Sequence, residues 1–340
     1  MTIKKDKQLF IWYTAFGDRI AQIPYLLKMK ELNKNITLLD YEKWWVNYSW
    51  NMKVIYDFFK NNWLYENIIT IPYWFFKFLK FIFTIILKFH SFNESYSPVW
   101  TKASMIIWHF FCKKVKNTFK NNDDNSEFEN IVEWMIGWDN KSFYEYSKQL
   151  KIPYSKEYKK KFWLYDSYVT VFCGPYSWSL KIEEWRKLFD FIINNWLKIV
   201  LLWGENSDRE WWILEVIEND KNIINLLWKT NFEELCSIIS DADYTISANW
   251  GIMRLSHLLN IKSVSFSIVS WKILHPPCDN HKSFHIHSNK CSHPCEIRVG
   301  NEKLKKMSST CIFYGTEKNR SCRNMKADSI IKILNSVYTS

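Results

Sequence analysis

Glycine is nearly missing from this chain. Seven glycines stand in 340 residues, where ordinary composition gives roughly 24. A chain so short of glycine lacks the residue that left-handed turns and close backbone approaches use most. The deficit has a counterpart in twenty tryptophans, normally among the rarest residues. Together the two types take about the share that an ordinary chain gives them jointly. Their positions point the same way. Asn61-Asn62-Trp63-Leu64 and Asn194-Asn195-Trp196-Leu197 each end a helical pattern, where a left-handed cap favours glycine. Trp203 closes an apolar strand at a turn, Trp250 precedes Gly251 at the mouth of a helix, and Trp211-Trp212 sits in a polar stretch. We read many of these tryptophans as occupying glycine positions. A UGA codon read as glycine by the source organism, but written as tryptophan by another code, gives this pattern. Trp185, on a helix face in Glu183-Glu184-Trp185-Arg186, is the best candidate for a genuine indole.

Other absences narrow the classes. No apolar run is long enough to read as a membrane span. The nearest, Tyr73 to Phe89, holds 17 residues interrupted by Lys77, Lys80 and Lys88, too short and too charged for one. It fits a basic aromatic helix lying on a membrane surface, and equally a domain helix with its lysines in water. The basic start, Met1 to Lys7, and the apolar residues 9–16 lack a cleavage-like site before Gly17-Asp18-Arg19, so they read as a first strand and not as a signal peptide. With no secretory signal, the eight cysteines do not imply a disulfide framework. Cys291, Cys295, Cys311 and Cys322, with His293 nearby, fit a structural zinc site. Their spacing is loose, and reduced thiols are the competing reading. His275, His285 and His287 read as loop residues. No solenoid repeat and no nucleic-acid-binding signature is visible.

What is present describes a folded enzyme-sized chain. Apolar residues make up 47% and the net charge is +11, which favours anionic partners such as phosphates or an anionic membrane surface over nucleic acid. The length suits two domains. Strands at Leu9–Ala15, Ile36–Asp40 and Asn67–Pro72 alternate with helices at Ile20–Leu32 and Val54–Asn61. From Tyr168 the rhythm returns: five strands between Tyr168 and Ser267 alternate with four helices, among them Glu183–Ile193, Phe232–Ser240 and Gly251–Leu259. The expectation is an α/β chain of two Rossmann-like, doubly wound domains facing a cleft. Its divisions are residues 1–160, 161–325 and a C-terminal helix, 326–340, that returns to the first domain. The boundary is expected near Pro153–Phe162, a Lys/Tyr-rich stretch.

Five segments then fall in a telling order. Gly17-Asp18-Arg19-Ile20-Ala21-Gln22-Ile23-Pro24 follows the first strand. Gly174-Pro175-Tyr176-Ser177 with Lys181 comes next, then Leu201-Leu202-Trp203-Gly204 through Glu210. Asn225 to Thr230 precedes Phe232–Leu235, and Ser247-Ala248-Asn249-Trp250-Gly251-Ile252-Met253-Arg254-Leu255 closes the series. In that order they resemble glycosyltransferase family 9, the heptosyltransferase-like enzymes, across residues 9–295. The match improves where Trp203, Trp228 and Trp250 are read as glycine.

The resemblance implies a GT-B fold and inverting, metal-independent transfer of a sugar from a nucleotide-diphosphate donor of the ADP-heptose kind. The acceptor would be a cell-envelope glycan or glycolipid at the cytoplasmic face of the membrane, and no cofactor is implied. Asp18 matches the family's catalytic base, and a helix N-cap carboxylate is its plainer reading. Lys181 matches the basic position after the Gly174 turn, Glu210 the ribose-binding carboxylate, and Thr230 the approach to the base. Asn249, Trp250 and Gly251 open a helix whose N–H groups suit a diphosphate. The family usually carries Asp at the position of Asn249 and His at that of Arg254. Asn249 keeps hydrogen bonding without charge, and Arg254 adds a fixed cation suited to phosphate. These departures leave the donor sugar open. They also leave room for another GT-B enzyme, or a relative that binds glycan or membrane without turnover.

Overall fold

The computed structural model describes residues 7–12, 20, 23–32, 35–41, 57–71, 92–97, 112–117, 145, 148–173, 180–195, 197–202, 213, 220–227, 229–248, 251–267, 283–287 and 325–338. The chain forms two compact units, residues 1–141 with 145–151, and residues 142–144 with 152–340.

The first unit is built on five strands: β1 (Lys7–Trp12), β2 (Asn35–Tyr41), β3 (Asn67–Ile71), β4 (Phe92–Ser97) and β5 (Cys112–Asn117). They lie in the order β3-β2-β1-β4-β5, with every pair parallel. Helix α1 (Ile23–Glu31) packs on β2. Its Ile23, Leu26 and Leu27 are buried at the i, i+3, i+4 spacing of a single helical face, over the buried Ile36 and Leu38 of the strand. A short helical turn at residues 57–61 ends in a Schellman motif. Trp63 N–H donates to the Lys60 carbonyl at 2.9 Å and Leu64 N–H to that of Phe59 at 3.0 Å. Trp63 has φ 57°, and the following Leu64 is buried.

The second unit carries α2 (Glu157–Phe162), β6 (Tyr168–Phe172), α3 (Ile182–Asn194), β7 (Lys198–Leu201), β8 (Ile223–Asn225), α4 (Phe232–Ser240), β9 (Tyr244–Ala248), α5 (Gly251–Leu258), β10 (Ser263–Ser267), β11 (Ser283–His287) and α6 (Ala327–Tyr338). Its six parallel strands run β11-β10-β9-β6-β7-β8. Strand alternation gives this sheet two unlike faces. Val169, Val171, Ile246, Val264 and Phe266 pack with Trp185, Leu188 and Phe189 of α3 and Ile330 and Leu334 of α6. Between them lie Thr170, Thr245, Ser247, Ser263 and Ser265, all buried. On that second face Thr170 Oγ1 and Thr245 Oγ1 stand 2.9 Å apart, and Ser263 Oγ stands 3.1 Å from His257 Nε2 of α5. Small hydroxyl side chains let α5 sit low on the sheet, and all eight of its residues are buried.

The last helix belongs to the second unit, where α6 packs against α3, β10 and β11. Ala327, Ile330 and Leu334 complete the core around Trp185, and Lys187 pairs with Asp328 at 2.6 Å. The division between the units falls at residues 151/152, beside the 153–162 stretch, which contains α2, fastened to the end of α4. There Asp241 accepts from Tyr158 Oη at 2.6 Å and Tyr154 Oη at 3.0 Å and pairs with Lys159 at 2.8 Å. Burial alone would raise the Asp241 pKa, but these donors hold it below the usual carboxylate range. Lastly, His285 and His287 belong to strand β11 and not to a loop.

Candidate functional site

Each sheet grows from its own first strand to one side and then resumes on the other. The switch lies between β1 and β4 in the first unit and between β6 and β9 in the second. Open parallel sheets bind ligands beyond the carboxyl ends of the strands at such a switch. Phe172 and Ser247 are partners near those ends of β6 and β9. From β6 the chain proceeds to Lys181 at the start of α3, and from β9 to Gly251 at the start of α5. Two of the segments picked out in the sequence are thereby brought to the same switch.

The helix N-termini of the second unit differ in what occupies them. Helix α4 is closed by its own capping box: Glu234 N–H donates to Asn231 Oδ1 at 2.8 Å, and Asn231 N–H to Glu234 Oε2 at 2.9 Å. At α6, Ala327 N–H donates to Glu184 Oε2 at 2.8 Å. At α3 the N-cap residue is Lys181, in an extended conformation and with no side-chain cap bond. Its carbonyl accepts from the N–H groups of Glu184 and Trp185, both at 3.0 Å. Its side chain is exposed. At α5 the first residue is Gly251, buried, which leaves the backbone open to close approach.

Arg254 lies in α5 and is buried. A cation this near a helix N-terminus works against the helix dipole, and an anion bound there turns both into attraction. The guanidinium also acts on His257: burial first, then the charge of Arg254, lowers the His257 pKa to about 4, so its imidazole is neutral at pH 7. Thr230 is half-buried and follows β8, two strands from β6, or about 10 Å across the sheet.

Asp18, Glu210, Asn249 and Trp250 lie outside the described residues, as do Cys291, Cys295, Cys311, Cys322, His293 and the Tyr73–Phe89 segment. Among the described residues no cluster of His, Cys, Asp and Glu could hold a metal ion, and no helix is long and apolar enough to cross a membrane. Glu184 escaped the sequence reading. Its partners, Lys326 and Ala327, stand more than 140 positions away, and nothing local marks them.

Residues 150–304 match the model of glycosyltransferase family 9 (heptosyltransferase). Among solved structures, the family 9 glycosyl transferase of Veillonella parvula DSM 2008 superposes with a TM-score of 0.69 at 13% identity, covering 99% of this chain and 98% of that one. The E. coli ADP-heptose lps heptosyltransferase II gives 0.63 at 14% identity over 97% and 98%. The E. coli heptosyltransferase WaaC with ADP gives 0.62 at 10% identity over 97% and 99%. No curated protein matches by sequence. Residues 150–304 are thus similar to glycosyltransferase family 9, and the two doubly wound units in sequence give the chain the GT-B fold of these structures.

Proposed function

We propose that the protein moves a heptose-like sugar from a nucleotide-diphosphate donor of the ADP-heptose kind to a cell-envelope glycan or glycolipid, with inversion. The observation that carries this reading is that Lys181 and Gly251 start the helices that follow β6 and β9, the two strands at the switch. In this reading the diphosphate lies across the start of α5, countered by Lys181 and Arg254 and by the helix dipole. Asn249 and Trp250 precede that start in the sequence. Thr230, about 10 Å along the sheet, suits the base end of the nucleotide, and Glu210 suits the ribose hydroxyls. Solved neighbours that bear ADP or an ADP-heptose are consistent with this donor class.

The step is a single displacement. The acceptor oxygen bonds to the anomeric carbon as the bond to the diphosphate breaks. Asp18 takes the acceptor's proton, and the cations at the switch receive the leaving charge. The work belongs at the cytoplasmic face of the membrane, with the basic segment Tyr73–Phe89 as its contact. Asp18→Asn is expected to keep ADP binding and to lose transfer by about two orders of magnitude or more. Unchanged turnover would remove Asp18 from the role. Asn249 and Arg254 favour a second reading, a relative that binds glycan or membrane without turnover. Sugar transfer or donor hydrolysis by the purified protein excludes it.

A further inference from the structure

The donor reading sets Lys181 against the diphosphate, and the helix turn that Lys181 opens also carries two carboxylates. Helix α3 opens with Lys181 at its N-cap and has Glu183 and Glu184 in its first turn. Residues three apart are neighbours on a helix, so Glu184 lies one turn from Lys181. Acidic residues here favour the helix dipole but oppose a bound anion. Glu183 is exposed to screening water, whereas Glu184 is buried, where an unbalanced charge reaches further.

The last helix answers that charge. Lys326 Nζ stands 2.5 Å from Glu184 Oε1, and Ala327 N–H donates to Oε2 at 2.8 Å. Burial alone would raise the Glu184 pKa, but the Lys326 ammonium and the Ala327 N–H hold it below the usual carboxylate range. Glu184 therefore stays ionised, and Lys326 balances it. The same carboxylate caps α6, so the contact that docks the helix is also the contact that neutralises the turn.

We propose that Glu184 and Lys326 act as a positioning pair through which the docked C-terminal helix sets the charge at the Lys181 turn and so the affinity for the anionic donor. The proposal rests on the donor reading above, and it assigns neither residue a contact with the reacting atoms. The measurement is ADP affinity by calorimetry on the full chain, with thermal unfolding in parallel. Lys326→Ala leaves the Glu184 charge unbalanced and is expected to weaken ADP binding about threefold or more, less at high salt. Glu184→Gln keeps an acceptor for Ala327 N–H, frees the Lys326 charge, and is expected to tighten binding by a similar factor. The double variant returns affinity to that of the unchanged chain. Both single variants lower Tm, so a purely structural role moves stability in one direction and leaves affinity alone. Opposite shifts in affinity with like shifts in Tm support the pair. Unchanged affinity, or shifts of the same sign, overturns it. Lys181→Ala is the control: if it also leaves ADP binding unchanged, the donor reading of this turn falls and takes the pair with it. If it weakens binding while the pair's variants do not, only the pair falls.

Discussion

Single residues show where tryptophan meets glycine geometry. Trp63 and Trp163 both have φ 57°, beside Asn260 at 58°. Asn260 is an ordinary choice for a left-handed helix end, with Ile261 N–H donating to the Ser256 carbonyl at 3.0 Å. Trp163 closes α2 in the same way: Leu164 N–H donates to the Lys159 carbonyl at 3.0 Å. Both indoles are about three-quarters exposed, at 76% and 74%, so they gain little from burial. Trp185 is the contrast, fully buried, with rings of Phe189 and Phe266 each 5.6 Å away. Trp63→Gly and Trp163→Gly are each expected to stabilise the protein by about 1 kcal/mol, read from denaturant midpoints. Trp185→Gly should cost about 3 kcal/mol or more by opening a core cavity. Loss of stability in the first two variants would count against glycine at those positions. Trp63 was legible in the sequence because Asn-Asn before it and a buried leucine after it make a helix end. Trp163 was not, because the six-residue α2 is too short to show a period.

Elements were legible where both faces of a strand are buried. YVTVF, KIVL and SVSFS lie inside the second sheet, and such runs read as strands on apolar and β-branched content. β4 (FNESYS), β5 (CKKVKN) and β11 (SFHIH) passed unread, because polar and charged residues interrupt their apolar pattern. Two of them, β5 and β11, are edge strands, where such residues discourage pairing with other chains. The His257 ring, held neutral beneath α5, gives this helix a pH dependence. In the unfolded chain the ring takes a proton below about pH 6.5. In the folded chain it does so only near 4. Its contribution is therefore complete above the unfolded value and is lost as pH falls from about 6.5 to 4, about 3 kcal/mol at most. Glu184 and Asp241, whose pKa values are lowered, lose their contributions further down, so the His257 effect is read between pH 6.5 and 5. Urea unfolding across that range should show stability falling with pH, and His257→Gln should flatten the slope. An equal slope in the variant would assign it elsewhere.

At the scale of the molecule, the division at Lys151 falls between two fastenings. Asn62 holds the Lys151 backbone to the first unit, accepting from its N–H at 2.5 Å and donating to its carbonyl at 3.2 Å. Ser155 N–H donates to Ser237 Oγ at 2.9 Å in the second unit, close to the Asp241 cluster. Asp241→Ala strands three donors, one of them the buried Tyr158, and should destabilise the second unit by about 2 kcal/mol or more. Calorimetry that resolves the two units should show one transition lowered and the other unmoved. A further consequence lies in strand order. Central strand β6 is made early, yet one of its neighbours, β9, begins more than 70 residues later, and such distant pairings form slowly. The β6/β9 crevice does not exist until that late strand arrives. If the proposed donor site lies there, nucleotide binding reports completed folding, and a half-finished second unit has no place to hold a donor.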